Sequence, residues 1–141
     1  INLKRQKPEF KNLKYKKILK HLSKLDNSRS DIALCFNKKI LETGTSNILF
    51  VKNKKVFSPI NKFYKGVTYK FFRSKINNIF KKDIFIDSLK NFDEIILIGS
   101  GKGVASVKAI KNIKWKRKSL KFYNIFFKKY KSAINNCPKL K

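Results

Sequence analysis

The spacing of apolar and polar residues along the chain predicts helices that alternate with short strands. The first predicted helix has one buried face, because its apolar residues recur at intervals of three and four: Leu13, Tyr15, Ile18, Leu19, Leu22 and Leu25. His21 lies off this stripe, so we expect it to be exposed. β-prone runs follow at residues 31–36, 39–41, 46–51 and 55–57, and the last two flank Lys52-Asn53-Lys54 as in a hairpin.

The second half of the chain continues this alternation. An amphipathic helix is predicted from about residue 68 to 80, with Phe71, Phe72, Ile76, Ile79 and Phe80 on its apolar face. Next come a short strand, a short helix or turn at 87–92, and a buried strand that leads through a Gly/Ser loop into another strand ending near Val107. A last amphipathic helix covers about 118–132. These elements predict an α/β (α+β) fold, in which helices pack on a mixed, largely antiparallel sheet in one domain over residues 1–141.

A polar turn between two strands carries the most conspicuous acidic residue. The apolar run Ile40-Leu41 leads into Glu42, and Thr43-Gly44-Thr45-Ser46-Asn47 then separates it from the next strand. The whole chain has only 8 acidic residues against 36 basic ones, so Glu42 has many potential cationic partners. Taken alone, the stretch also fits a surface hairpin with an incidental glutamate.

Residues 40–59, ILETGTSNILFVKNKKVFSP, resemble the E-x-[ST]-x-[ST]-N-[IL]-F signature of class IV (fold type IV) pyridoxal-phosphate enzymes. The resemblance implies the C-terminal domain of the D-amino-acid aminotransferase-like fold, with pyridoxal 5′-phosphate as cofactor. It also implies that Glu42 faces the pyridine nitrogen of the cofactor. A carboxylate there keeps the nitrogen protonated, and the protonated ring withdraws electrons from a carbanion.

Residues 11–15 resemble the K-x-L-x-Y box of the same family, which lies a similar distance before the glutamate. The resemblance implies that Lys11 is the covalent anchor of the cofactor and the catalytic residue, and that Tyr15 contacts the cofactor. The alternative for Lys11 is a solvated surface lysine, since 32 of the 36 basic residues are lysine.

Gly66-Val67-Thr68 resembles the G-[IV]-T-R box, which binds the cofactor phosphate at the start of a helix. Backbone N–H groups of a first helical turn, together with the helix dipole, favour an anion, and Thr68 could cap the helix. The family's arginine is replaced by Tyr69, which leaves the backbone contacts possible. An ordinary capped helix is the alternative interpretation.

The stretch Asp93 to Val107 resembles the family box with a buried strand and a Gly/Ser loop. It implies that the Ser100 hydroxyl contacts the cofactor phosphate and that Gly99 lets the backbone approach. Neither the P-loop nor the G-x-G-x-x-G pattern of dinucleotide-binding proteins fits this loop. A glycine-rich loop between strands remains the alternative.

The formal charge of +28 suggests a nucleic-acid-binding module, an alternative that we consider distant. Lys, Ile, Asn and Phe make up more than half of the chain, as expected from an AT-rich genome, and arginine forks for phosphate are scarce. Two cysteines, with Cys35 expected to be buried, predict no metal site or disulfide framework. No apolar run is long enough to span a membrane, so a cytoplasmic protein without nucleic-acid or membrane partners is expected.

The chain contains no methionine and begins at Ile1, and the resemblance covers only the C-terminal half of a class IV enzyme. We therefore expect a fragment that is inactive alone, whose full-length enzyme is a homodimer acting on a small-molecule substrate. The stretch after Val107 lacks the G-D-G-x-P-G-P-like element of branched-chain aminotransferases and most resembles 4-amino-4-deoxychorismate lyases. These form 4-aminobenzoate and pyruvate in the folate pathway. A branched-chain or D-amino-acid aminotransferase of the same class is the alternative.

Overall fold

The computed structural model describes residues 1–10 and 15–138. Ten strands and three α-helices follow one another along this part of the chain, with short 3-10 helices at Ile86–Asn91 and Lys111–Ile113. The elements are α1 (Lys16–Leu22), β1 (Ala33–Phe36), β2 (Lys39–Thr43), β3 (Asn47–Lys52), β4 (Lys55–Ser58), α2 (Val67–Lys75), β5 (Ile79–Lys81), β6 (Ile84–Phe85), β7 (Glu94–Gly99), β8 (Gly103–Ser106), β9 (Ala109–Ile110), β10 (Trp115–Lys116) and α3 (Lys121–Asn135).

A five-stranded sheet in the order β5-β4-β3-β7-β8 forms the centre of the domain. Its pairs are antiparallel except β4 with β5, which are parallel and joined through α2, because parallel neighbours need a crossover connection. A second sheet has the order β1-β2-β6, and β9 pairs with β10 as a separate ribbon. The predicted mixed, largely antiparallel sheet with packed helices is confirmed.

Both faces of the five-stranded sheet are buried. Leu49 of β3 and Ile96 of β7 pack in one core with Phe72 of α2 and Phe126 of α3. The alternate residues of the same two strands pack in a second core that also receives Trp115. This two-sided burial explains why β3 and β7 read as continuous apolar runs and not as apolar-polar alternation.

Two hairpins turn through the same dipeptide, Asn-Lys. Asn37 and Lys38 have φ of 49° and 60°, and Asn53 and Lys54 have the same two values. Two consecutive residues with positive φ are the signature of a type I′ turn, whose twist matches the strands it joins. The predicted hairpin around residues 52–54 is thereby confirmed, and the prediction that His21 is exposed is confirmed too.

The predicted helices are correct in place but not in length or in every buried position. The helix predicted for 68–80 ends at Lys75, because Ile76 is extended and Ile79 begins a strand beside β4. Assigning Ile79 and Phe80 to the helix was therefore wrong. Leu19 was expected on the buried stripe of the first helix, but it is half exposed. Among the described residues, no helix combines the length and apolarity needed to cross a bilayer.

Candidate functional site

Several chain segments meet at one end of the five-stranded sheet. β3 begins there with Asn47, and β7 ends there because Asn47 pairs with Ile98 in antiparallel register. Since β4 is antiparallel to β3, its last residue Ser58 points to the same end, and the chain then continues to α2. The turn at 44–46 joins this end to β2 of the other sheet. The topology thus brings the three predicted boxes at 42–47, 66–68 and 99–100 to a common region.

Glu42 is the last but one residue of β2 and its side chain is buried, with 3% exposure of the residue. Arg5 donates its Nε–H to Glu42 Oε1 at 2.9 Å, and the Tyr64 backbone N–H also donates to this carboxylate. The Arg5 guanidinium makes a second hydrogen bond, from Nη2 to the Gly44 carbonyl at 2.8 Å. Arg5 therefore holds both Glu42 and the turn that follows it.

Burial raises the pKa of Glu42 to about 7, although the Arg5 charge and the hydrogen bonds from Tyr64 and Arg5 act in the opposite direction. One guanidinium therefore does not fully compensate the cost of removing this carboxylate from water. A carboxylate has about four lone-pair sites, so two donors leave capacity for a further one. An additional cationic donor at Glu42 would favour its ionised form.

Asn47 connects the turn to the start of α2. Its Nδ2 group donates to the Tyr64 carbonyl at 2.5 Å, and its Oδ1 accepts the Gly66 N–H at 3.1 Å. Gly66 is the N-cap of α2, and no side-chain capping bond is found there within the described chain. The amides of Val67 and Thr68 lie in the first helical turn, where helix geometry supplies no partner. Thr68 itself is the second helical residue and buried, so the prediction that it could cap this helix was wrong.

The loop after β7 lies against the same turn. A Cβ built on Gly99 would come within 3.4 Å of Ser46 Oγ and 3.5 Å of the Thr45 carbonyl oxygen. Ser100 and Gly101 follow and are exposed, and Gly103 returns the chain into β8 with φ of +66°. The Ser100 hydroxyl therefore sits on an exposed loop whose base lies beside residues 45 and 46.

Tyr15 joins this region through Arg5. The Arg5 guanidinium carbon lies 5.5 Å from the centroid of the Tyr15 ring, a cation–π distance, and Tyr15 is half buried at the start of α1. Lys11, the predicted covalent anchor, lies outside the described residues. Phe10 and Tyr15 are the described residues nearest to it in the sequence.

Tyr69, which replaces the arginine of the family box, points into the interior of the domain. Its hydroxyl is 3.0 Å from Ser58 Oγ, and its ring packs edge-on against Phe63. Both Tyr69 and Ser58 are buried. Tyr69 therefore packs as a buried aromatic residue and is hydrogen-bonded to Ser58 at the end of β4.

Sequence reasoning missed two residues of the site, Arg5 and Asn47. Arg5 is one of only four arginines in a lysine-rich chain. This rarity could have indicated a specific role, because a guanidinium can donate two hydrogen bonds in a fixed geometry and a lysine cannot. Asn47 lay inside the recognised signature, but its side-chain link to Tyr64 and Gly66 depends on a fold that the spacing does not specify.

The residues present suit pyridoxal phosphate on the grounds of their chemistry. Glu42 is a buried carboxylate with a raised pKa and spare acceptor capacity, which fits a protonated ring nitrogen. The uncapped start of α2 offers amides, and the Ser100 loop offers a hydroxyl, both suited to a phosphate. Gly66 and Gly99 present backbone without side chains beside these donors.

Comparisons with known proteins identify the family and the fold. The model of the family described as amino-transferase class IV matches residues 1–110. A solved structure from Legionella pneumophila, of a protein proposed to be a 4-amino-4-deoxychorismate lyase, aligns with a TM-score of 0.76 at 16% identity, over 96% of this chain and 53% of that one. A branched-chain aminotransferase from Thermobaculum terrenum aligns with a TM-score of 0.76 at 15% identity, over 95% and 47%.

A hypothetical aminotransferase from Mycobacterium tuberculosis, solved with pyridoxal phosphate bound, aligns with a TM-score of 0.71 at 17% identity, over 90% of this chain and 47% of that one. The chain thus spans about half the length of these structures. A comparison with curated proteins found no significant match.

Proposed function

Because this chain belongs to the class IV aminotransferase family, we propose that it forms the cofactor-binding half of a pyridoxal-phosphate enzyme, with 4-amino-4-deoxychorismate lyase as its activity. The observation that carries the proposal is the position of Glu42. This buried acid with a raised pKa lies beside a turn that is hydrogen-bonded to Gly66 through Asn47 and lies close to Gly99. Sites that tune a carboxylate in this way are characteristic of catalysis.

Each residue has a distinct task in this proposal. Glu42 accepts the ring N–H and keeps the nitrogen protonated, while Arg5 favours the ionised form of Glu42 and fixes its direction. The amides of Val67 and Thr68, with the Ser100 hydroxyl, donate to the phosphate. Lys11 anchors the cofactor covalently and carries a proton, and Tyr15 lies beside Arg5. When bound, pyridoxal phosphate supplies an electron-withdrawing ring that stabilises negative charge on the substrate carbon.

The lyase reaction needs no second substrate. 4-Amino-4-deoxychorismate contains the same atoms as 4-aminobenzoate and pyruvate together, so the step is an elimination without an oxidant or an amino acceptor. Residues 107–120, between β8 and α3, hold the short β9–β10 ribbon and the 3-10 helix at Lys111–Ile113, and they lack the G-D-G-x-P-G-P-like element. This segment favours the lyase over a branched-chain aminotransferase.

An aminotransferase is the second candidate, because branched-chain aminotransferases align as well as the lyase-like structure does. In that case the enzyme would return the amino group to a 2-oxo acid and not release an aromatic amine. We also propose that the full-length protein supplies the other half of the site and that it assembles as a homodimer. A cytoplasmic location is also proposed.

The experiment uses the full-length protein that contains this chain. With 4-amino-4-deoxychorismate, we expect equal amounts of 4-aminobenzoate, measured by fluorescence, and pyruvate, measured with lactate dehydrogenase. Glutamate formation from leucine and 2-oxoglutarate would instead favour the aminotransferase.

Lys11 is tested in the same protein. Borohydride should bleach the visible absorbance of the bound cofactor and label Lys11, and Lys11→Ala should abolish absorbance and turnover together. Lys16→Ala, at an exposed lysine on α1, is the matched control and should retain both. Labelling at another lysine would contradict the assignment of Lys11.

A further inference from the structure

A second carboxylate, Asp31, lies between the turn that follows Glu42 and the loop that carries Ser100. Its Oδ2 atom accepts hydrogen bonds from Thr43 Oγ1 at 2.8 Å, Thr45 Oγ1 at 2.5 Å and Lys102 Nζ at 3.0 Å. Only 5% of the Asp31 side chain is exposed. Three donors from two separate parts of the chain therefore converge on one buried oxygen.

The orientation of Asp31 is fixed by its surroundings. Its other oxygen, Oδ1, accepts the backbone N–H of Ile32 at 2.8 Å. On the opposite side, Thr43 Oγ1 also accepts the Ser46 N–H at 2.9 Å, which closes the turn at 43–46. Asp31 is thus bonded to a turn that is itself held in shape, and it is not a freely rotating surface acid.

The Ser100 loop has little packing of its own, which makes its link to Asp31 important. Ser100 and Gly101 are exposed, and a Cβ built on Gly101 would meet no atom within 4 Å. The base of the loop at Gly99 lies beside residues 45 and 46, with no room for a larger side chain without close contact to them. Beyond this base, the Lys102–Asp31 ion pair is a direct connection from the loop to the turn, and it is partly shielded because Lys102 is 24% exposed.

We propose that Asp31 is a positioning residue that joins the Glu42 turn to the Ser100 loop. It thereby fixes the distance between the Glu42 carboxylate, which binds the ring nitrogen, and the Ser100 hydroxyl, which binds the phosphate. This inference rests on the proposed function. A loop that is already ordered binds the phosphate more tightly, because ordering a loop during binding reduces affinity. Asp31 supplies that order through Lys102, and it holds the turn through Thr43 and Thr45.

The experiment compares the affinity of the full-length protein for pyridoxal 5′-phosphate with that for pyridoxal, which lacks the phosphate. Lys102→Met should weaken binding of the phosphate ester about fivefold and leave pyridoxal nearly unchanged, since only the loop is released. Asp31→Asn should produce at least the same loss, because the neutral amide forms no ion pair. Lys108→Met, at an exposed lysine, is the matched control.

The double variant Asp31→Asn with Lys102→Met sharpens the test. If the two residues act through one ion pair, the double variant should bind the phosphate ester no more weakly than Asp31→Asn alone. A purely structural role of Asp31 would lower the unfolding temperature without changing the ratio of the two affinities, and that result would overturn the proposal.

If Asp31→Asn fails to fold, the affinity ratio of Lys102→Met alone tests the proposal. The Lys102 side chain is partly exposed, so its replacement is expected to leave the protein folded. An unchanged affinity ratio in this variant would overturn the role of Asp31 while leaving the proposed function intact. A wild-type protein that binds neither pyridoxal phosphate nor pyridoxal would overturn both.

Discussion

Two buried glutamates, Glu42 and Glu94, show how the same side chain serves different ends in two regions of the domain. Their exposures are similar, 3% and 1%, and each lies in a strand. Glu94 accepts from Ser119 Oγ, from the Phe122 N–H and from the Tyr123 N–H at 2.8–2.9 Å, all at the start of α3. Glu42 accepts instead from a distant side chain, Arg5, and from the Tyr64 backbone.

The two glutamates differ in how much hydrogen-bond acceptor capacity their donors leave unused. At Glu94, three donors from one helix end use most of the acceptor capacity, and the negative charge complements the helix dipole. At Glu42, capacity remains and burial raises the pKa to about 7. Burial alone therefore does not distinguish a site acid from a structural one; the donors that surround each carboxylate do.

The largest contrast is expected in turnover. Glu42→Gln should lower kcat of the full-length enzyme by about 10²-fold or more, because a neutral amide does not keep the ring nitrogen protonated. Above pH 7, where the pH-dependent contribution of Glu42 is already lost, the free energy of unfolding should change by only about 1 kcal/mol, since the amide still accepts from Arg5. Kinetics and urea unfolding on the same preparation measure both. Unchanged turnover would contradict the role assigned to Glu42.

The second prediction concerns the pH dependence that Glu42 gives to stability, measured without cofactor. The folded-state pKa of Glu42 is raised from 4.5 to about 7, so the folded protein holds this proton more tightly than the unfolded chain does. Its contribution to stability is present below pH 4.5 and is lost as the pH rises through about 7. The loss amounts to about 3 kcal/mol.

Urea unfolding between pH 4 and 9 tests this sign. The difference between wild type and Glu42→Gln should show the decline and then level off above pH 7. Arg5→Gln should extend the decline to higher pH, because removing the guanidinium raises the Glu42 pKa further. A stability that rises with pH through this window, relative to Glu42→Gln, would contradict the raised pKa.

The smallest expected effect is at Glu94, and it concerns stability. Glu94→Gln should lower the free energy of unfolding by about 2 kcal/mol, because an amide NH₂ would face an N–H donor at the start of α3. Hydrogen exchange of the α3 amides should accelerate in the variant. Folded Glu94→Gln protein should retain its turnover, in contrast to Glu42→Gln. A loss of kcat without loss of stability would remove the distinction between the two regions.

Local patterns in the sequence predicted much of the fold. The hairpin around residues 52–54 and the apolar runs of β3 and β7 need only neighbouring residues to be recognised. β5 was missed because its strand conformation comes from parallel pairing with β4, and the periodicity of Ile76, Ile79 and Phe80 also fits a helix. A tertiary contact decides between the two, so that choice was beyond local pattern.

The predicted site residues were found through a family resemblance, and the connections among them were not. The resemblance indicated Glu42, Gly66 and Ser100 as residues of one site. It did not reveal that Arg5 and Asn47 would bind to them, because these contacts join residues far apart in the chain. Asp31 likewise showed no pattern of its own, since its partners Thr45 and Lys102 come together only in the folded sheet.

The register that pairs Asn47 with Ile98 also sets the order in which the site can form. The β3–β4 hairpin closes locally, whereas β7 comes much later in the chain and its pairing with β3 has a larger entropic cost. The Ser100 loop therefore reaches the Asn47 turn only when β7 has paired with β3. A ligand that needs both parts therefore binds the folded chain and not the unfolded one. Binding of the cofactor accordingly stabilises the native state alone, so the free energy of unfolding would rise with the concentration of free cofactor.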